Sequence, residues 1–113
     1  MSRFTTVEFP VFSDFTVHIE MSSDFEKSII KYPSISDMVD KFDEQADPLT
    51  IYDGGQVCFI FLRPNVSAGT IAHEAWHAVR NMFDCMGVED NETVAYHLGY
   101  LVDKIFKFVR RRK

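Results

Sequence analysis

His73-Glu74-Ala75-Trp76-His77 is an H-E-x-x-H run, and the stretch around it, from Ala68 to Met86, contains no internal Pro and no Gly beyond its first turn. That segment predicts a helix, with Ser67 as its N-cap. On a helix, residues four apart are offset by about 40° and rise by about 6 Å, so two imidazoles lean from one face toward a common point. Such spacing predicts one bound zinc ion, with His73 and His77 as two of its ligands. Glu74 lies between them, where its carboxylate can reach a metal-activated water without being a ligand itself. The chemistry implied is hydrolysis, with Glu74 as general base.

The helix pattern puts these residues outside the core. His73 and His77 share a stripe with Thr70, Arg80, Asn81 and Asp84, whereas Ile71, Ala75, Ala78, Val79, Met82 and Met86 fall on the other side. The plain alternative is a pair of exposed histidines on a solvated face. Trp76, the sole Trp, is expected to anchor the helix against a sheet.

A zinc site that does chemistry needs a third protein ligand and an open position. Glu92 is the first candidate. It opens a second helical segment, Asn91 to Tyr100, after a short break at Gly87-Val88-Glu89-Asp90. So short a loop predicts an antiparallel helix pair, with small Ala95 and Gly99 letting the backbones approach closely. About two and a half turns run past His77 to Met86, so the second helix must lean back for Glu92 to reach the ion. His97, Asp84 and Glu89 compete: Asp84 is on the histidine stripe but about 10 Å farther along, Glu89 is in the loop, and His97 points about 140° away from Glu92.

The combination of His73-Glu74-x-x-His77 with Glu92-Thr93-Val94-Ala95-Tyr96 resembles the gluzincin pattern. It is similar in particular to short, single-domain zinc peptidases encoded in bacteriophage genomes, which carry G-T-I-A-H-E-x-x-H and, later, N-E-x-x-A-Y; Gly69 to His77 and Asn91 to Tyr96 match those runs. The likeness covers residues 49 to 105 well and the first forty-eight in outline. It implies a zinc metallopeptidase with His73, His77 and Glu92 as ligands and Glu74 as base. Tyr96 would be a phenol that steadies the oxyanion; read from spacing alone, it is equally a half-buried packing residue. Arg80 is a second candidate for the oxyanion. The spacing from His77 to Glu92 is shorter than in large gluzincins, and no sizeable domain follows to wall a cleft. The expected partner is a peptide or protein substrate, with a protein partner able to complete the cleft. The competing function is a catalytically silent zinc-binding protein that acts by binding a host or partner protein.

Length and composition bound these readings. At 113 residues the chain is expected to form one domain, 1–113, with a basic tail at 104–113. Neither an apolar run of membrane-spanning length nor a signal-peptide pattern is present, so a cytoplasmic protein is expected, in the host cytoplasm if phage-encoded. Residues 1–103 hold seventeen carboxylates against six basic residues, a net of −11, and residues 104–113 carry six basic residues, leaving −5 for the whole chain. An acidic body argues against nucleic acid as a partner, because phosphate contacts need a basic face. The tail reads as a solvated, cationic helix end. Cys58 and Cys85 do not make a disulfide framework and are both expected as small buried thiols.

The scaffold expected is α+β: a small, mostly antiparallel sheet packed against the zinc-site helix and a C-terminal helix, a minimal zincin-like arrangement. Arg3 to Phe9 and Phe15 to Met21 read as a strand pair turning at Pro10 and Ser13-Asp14. Asp24 or Ser23 caps a short helix stopped by Pro33, followed by a weaker helical turn over Ser36 to Phe42 and an acidic connector from Asp43 to Pro48. Asp53-Gly54-Gly55 marks a hairpin between Leu49–Tyr52 and the strand ending at Leu62. Val57 to Leu62 is apolar on both faces and should be an interior strand. By family analogy a sheet edge beside the metal helix receives the substrate as an added strand; Leu49–Tyr52 or an N-terminal strand would supply it.

Overall fold

In a computed structural model, residues 3–10, 12, 15–37 and 49–111 are described; the expected turn at Ser13-Asp14, most of the turn over Ser36 to Phe42 and the connector from Asp43 to Pro48 lie outside them. The chain is α+β. Strands β1 (Arg3–Glu8) and β2 (Thr16–Met21) precede the short helix α1 (Phe25–Ile30), strands β3 (Leu49–Tyr52) and β4 (Val57–Leu62) follow, and two long helices, α2 (Ala68–Met86) and α3 (Asn91–Arg110), complete it. The sheet order is β1-β2-β4-β3. β1 pairs antiparallel with β2 and β3 antiparallel with β4, while β2 and β4 are parallel, so the sheet is mixed with antiparallel outer pairs.

Alternation along the strands divides the interior into two cores. Val17, Ile19 and Met21 of β2, with Cys58, Ile60 and Leu62 of β4, meet the apolar stripes of α2 and α3. Phe59 and Phe61 point the other way, against Phe25 and Ile29 of α1 and Ile35. Burial of β4 on both sides is why its sequence shows no alternation, and it occupies an interior position as expected.

Local chemistry fixes the ends of α2 and the turns beside it. Ser67 accepts a hydrogen bond from Thr70 N at 3.2 Å, and Gly87 closes the helix with φ 75°, a left-handed conformation that glycine adopts without steric cost. At the β3–β4 hairpin Gly54 takes φ 83°, and Asp53 Oδ1 accepts from Gly55 N at 2.8 Å. Asp90 caps α3, accepting from Thr93 N at 2.9 Å.

One expectation about the helices is corrected. Ala95 and Gly99 are exposed and lie away from the α2 contact, with nothing within 4 Å of a Cβ built on Gly99. The buried stripe of α3 is Val94, His97, Leu101, Ile105 and Phe108, and its 3–4 residue spacing turns the small residues to solvent. The basic segment is the last part of α3, which continues to Arg110, with Lys104, Lys107 and Arg110 exposed. Arg3 of β1 donates to the carbonyl oxygens of Phe108 and Val109 at 3.0 and 3.3 Å, adding a side-chain donor at the helix end, where Phe108 O also accepts from Arg111 N. Among the described residues no helix is long and apolar enough to cross a membrane.

Candidate active site

Apolar positions of α2 dock on the sheet and leave the His73 and His77 face outward, as the stripe predicts. Both imidazoles are exposed, and their Nε2 atoms stand 3.0 Å apart with the rings nearly perpendicular. Two nitrogens bound at about 2.0–2.1 Å to a tetrahedral zinc ion are about 3.3 Å apart, so the pair is close to forming one edge of such a site. His73 and His77 therefore fit the group the motif implies.

Glu74 differs from its neighbours. It is 5% exposed, whereas His73 and His77 are open to solvent. Thr50 of β3 donates from Oγ1 to Glu74 Oε1, and the same hydroxyl lies 3.4 Å from the Glu74 carbonyl oxygen. The other carboxylate oxygen, Oε2, is 4.0 Å from His73 Nε2. A carboxylate thus stands beside the two converging imidazoles, anchored on one side by the sheet.

Glu92, in the first turn of α3, is exposed. It lines an open depression of about 470 Å³ with Phe12, Thr93, Tyr96 and His97, and neither His73 nor His77 contributes to that lining. Among the described residues no group of three or more His, Cys, Asp and Glu side chains is gathered to hold a metal ion. The structure brings His73, His77 and Glu74 together and does not gather Glu92 with them. Tyr96 is 58% exposed and accompanies Glu92 in the depression. Arg80 is engaged in an i,i+4 ion pair with Asp84 at 2.6 Å.

His97, the competing ligand, is buried and removed from that role. Its Nδ1 is 2.8 Å from Thr93 O, its ring is packed by Phe9, Phe12, Phe83 and Tyr96, and its Nε2 has no hydrogen-bond partner among the described residues.

Two other expectations change here. Trp76 is 44% exposed, with the Arg80 guanidinium 5.5 Å from its ring centroid, so it is not a core anchor. The position one residue before His77 follows the histidine face outward, and small Ala75 and Ala78 occupy the contact with the sheet instead. Cys85 is exposed, whereas Cys58 is buried as expected. Burial pushes the Cys58 thiol up to about 12, reinforced by Asp53 and Glu74 and opposed by a hydrogen bond with Asn81. Tyr52 is likewise raised to about 12, by burial first and then by its hydrogen bond with Cys85.

Thr50 is the site residue that sequence reading missed. A threonine in a β-strand is unremarked by composition or spacing, and only the packing of β3 against α2 gives it a carboxylate to meet. No protein-family model, curated protein or solved structure matches the chain.

Proposed function

We propose that this chain is a minimal, gluzincin-like zinc metallopeptidase that hydrolyses a peptide bond at the outward face of α2. The observation that carries the reading is the 3.0 Å approach of the His73 and His77 Nε2 atoms beside the buried carboxylate of Glu74. A bound zinc ion would supply a Lewis acid and acidify a water at neutral pH. His73 and His77 would hold it, and Glu92, which lies beside Tyr96 rather than beside the histidines, is the third ligand that the resemblance to gluzincins implies. Glu74 takes the proton of the attacking water at Oε2 and delivers it to the leaving amine nitrogen. Tyr96 is the proposed hydrogen-bond donor to the oxyanion. The edge position of β3, beside α2, supports an extended peptide as substrate, because its outer backbone groups can pair with an added strand.

Elemental analysis combined with a peptide-library cleavage screen tests this. Wild-type protein and Glu74→Gln are both expected to bind about one zinc per chain, with turnover in the variant reduced by about 10²–10⁴-fold. His73→Ala and His77→Ala should lose the metal together with the thermal stabilisation it confers. A wild-type protein that takes up no zinc, or undiminished hydrolysis by Glu74→Gln, would overturn the proposal.

One observation favours a second reading, a silent zinc-binding protein that docks on a partner. Trp76 is half-exposed inside the motif, and exposed Trp with a neighbouring Arg is the composition of an interface anchor. Zinc binding without cleavage of any library peptide would select that reading.

A further inference from the structure

We infer that Thr50 is a positioning residue that fixes the rotamer of Glu74, an inference that rests on the peptidase reading of this site. The motif is asymmetric in its exposure. The His73 side chain is 66% exposed and that of Glu74 only 7%, so the carboxylate has been drawn from solvent toward the sheet while the imidazole beside it has not. The group it meets is the Thr50 hydroxyl, which donates to Oε1.

The hydroxyl is itself well located. Thr50 sits in the register of β3 opposite Ile60 of β4, and a β-branched side chain in a strand has few χ1 options. Its anchor point is therefore set by the sheet, which is a stiffer reference than a side chain on the exposed helix face. With Oε1 held there, Oε2 is left 4.0 Å from His73 Nε2. The two oxygens consequently have different tasks: Oε1 is the anchor, and Oε2 is the one available to exchange a proton beside the imidazole pair. A freely rotating Glu74 would present either oxygen, or neither, and misplacement of a reacting group by about 1 Å costs on the order of 10²-fold in rate.

Thr50→Val removes the donor with little change of shape or strand preference, and Thr50→Ser restores it without the methyl group. Two measurements are read on each. The first needs no metal and no substrate: three-bond couplings and side-chain relaxation of Glu74 in isotope-labelled, metal-free protein. The second is steady-state cleavage of a peptide that the wild type hydrolyses, with zinc affinity measured alongside. Wild type and Thr50→Ser are expected to hold Glu74 in one rotamer, and Thr50→Val to average it. In Thr50→Val kcat should fall by about 10–100-fold, with KM and zinc affinity within about twofold of wild type, and Thr50→Ser should recover most of the loss. A single Glu74 rotamer in Thr50→Val, or an unchanged kcat, overturns the assignment. A wild-type protein that cleaves nothing overturns the peptidase reading instead, and the rotamer measurement then decides the role of Thr50 without it.

Discussion

Among the described residues each face of the sheet buries a glutamate, and the two are treated in opposite ways. On the α1 face Glu20 is fully buried: Oε1 accepts from the Tyr32 hydroxyl at 2.5 Å and lies 3.0 Å from His18 Nε2, and Oε2 accepts from Lys31 Nζ at 2.9 Å. Burial pushes its carboxyl upward, but hydrogen bonds from Tyr32, Lys31, His18 and Ser28 outweigh that and hold it down at about 2. The Tyr32 phenol is raised well above its ordinary value by burial and by that same carboxylate. Stacking of His18 on Phe4 and ring contacts with Tyr32 and Phe59 enclose the group. On the α2 face Glu74 has Thr50 on one oxygen and the imidazole pair near the other. A buried charge whose acceptors are all filled stabilises a fold; one that keeps an oxygen beside exposed histidines is suited to move a proton.

Conservative amide substitutions should separate the two most sharply. Glu74→Gln is expected to lose turnover, as above, yet to change unfolding free energy by less than about 1 kcal/mol, since an amide oxygen still accepts from Thr50. Glu20→Gln should do the reverse, costing about 2–3 kcal/mol with turnover unchanged, the figure being reduced for solvent screening because Lys31 is half-exposed. Urea denaturation midpoints and peptide turnover on both proteins provide the check. A Glu20→Gln protein as stable as wild type would remove the distinction.

Acid should expose the same difference. The folded-state value of Glu20 lies below its ordinary 4.5, so its contribution is fully present above about pH 4.5 and is lost as pH falls toward about 2. Subtracting the stability profile of Glu20→Gln from that of wild type should therefore leave a difference that shrinks through that window and is flat above it. A flat difference between pH 2 and 4.5 would mean that the carboxylate gains nothing from its donors.

Much of this organisation is legible in the sequence, and what is not has a common cause. Asp53-Gly54-Gly55, Ser67 and Gly87 act locally, through turn and cap geometry, and the elements they bound lie where the chain indicates. The H-E-x-x-H spacing is likewise local, so the approach of His73 to His77 follows from one helix alone. Relations between elements are different. The parallel pairing of β2 with β4, the meeting of Thr50 with Glu74, the outward turn of Ala95 and Gly99, and the place of Glu92 beside Phe12 and Tyr96 all depend on how helices and sheet are set against one another. Residue types at a fixed spacing do not encode those angles.

Capping offers a smaller effect on the same helix. Ser67→Ala should cost about 1 kcal/mol by leaving Thr70 N without its acceptor. Because this loss falls on the first turn of α2, one turn before His73, zinc affinity should drop with it if the histidine pair depends on that turn. Equal affinity in wild type and Ser67→Ala, measured by competition with a chromophoric chelator, would show that the pair is set by the docked middle of the helix instead.

The smallest expected effect concerns Trp76, and it tests whether the α2 face is open. A buried Trp replaced by Ala typically costs about 3–5 kcal/mol through lost transfer energy and the cavity left behind. At 44% exposure, with Arg80 over its ring and Ala75 and Ala78 making the contact with the sheet, Trp76 should cost well under that, about 1 kcal/mol or less. As the sole Trp, it also reports its own surroundings: emission should be that of a hydrated indole, readily quenched by acrylamide, and should shift when zinc is added to the neighbouring histidines. Shielded emission from the isolated protein, or a large loss of stability in Trp76→Ala, would mean that this face is covered in solution, and a peptide would then have no open path to Glu74.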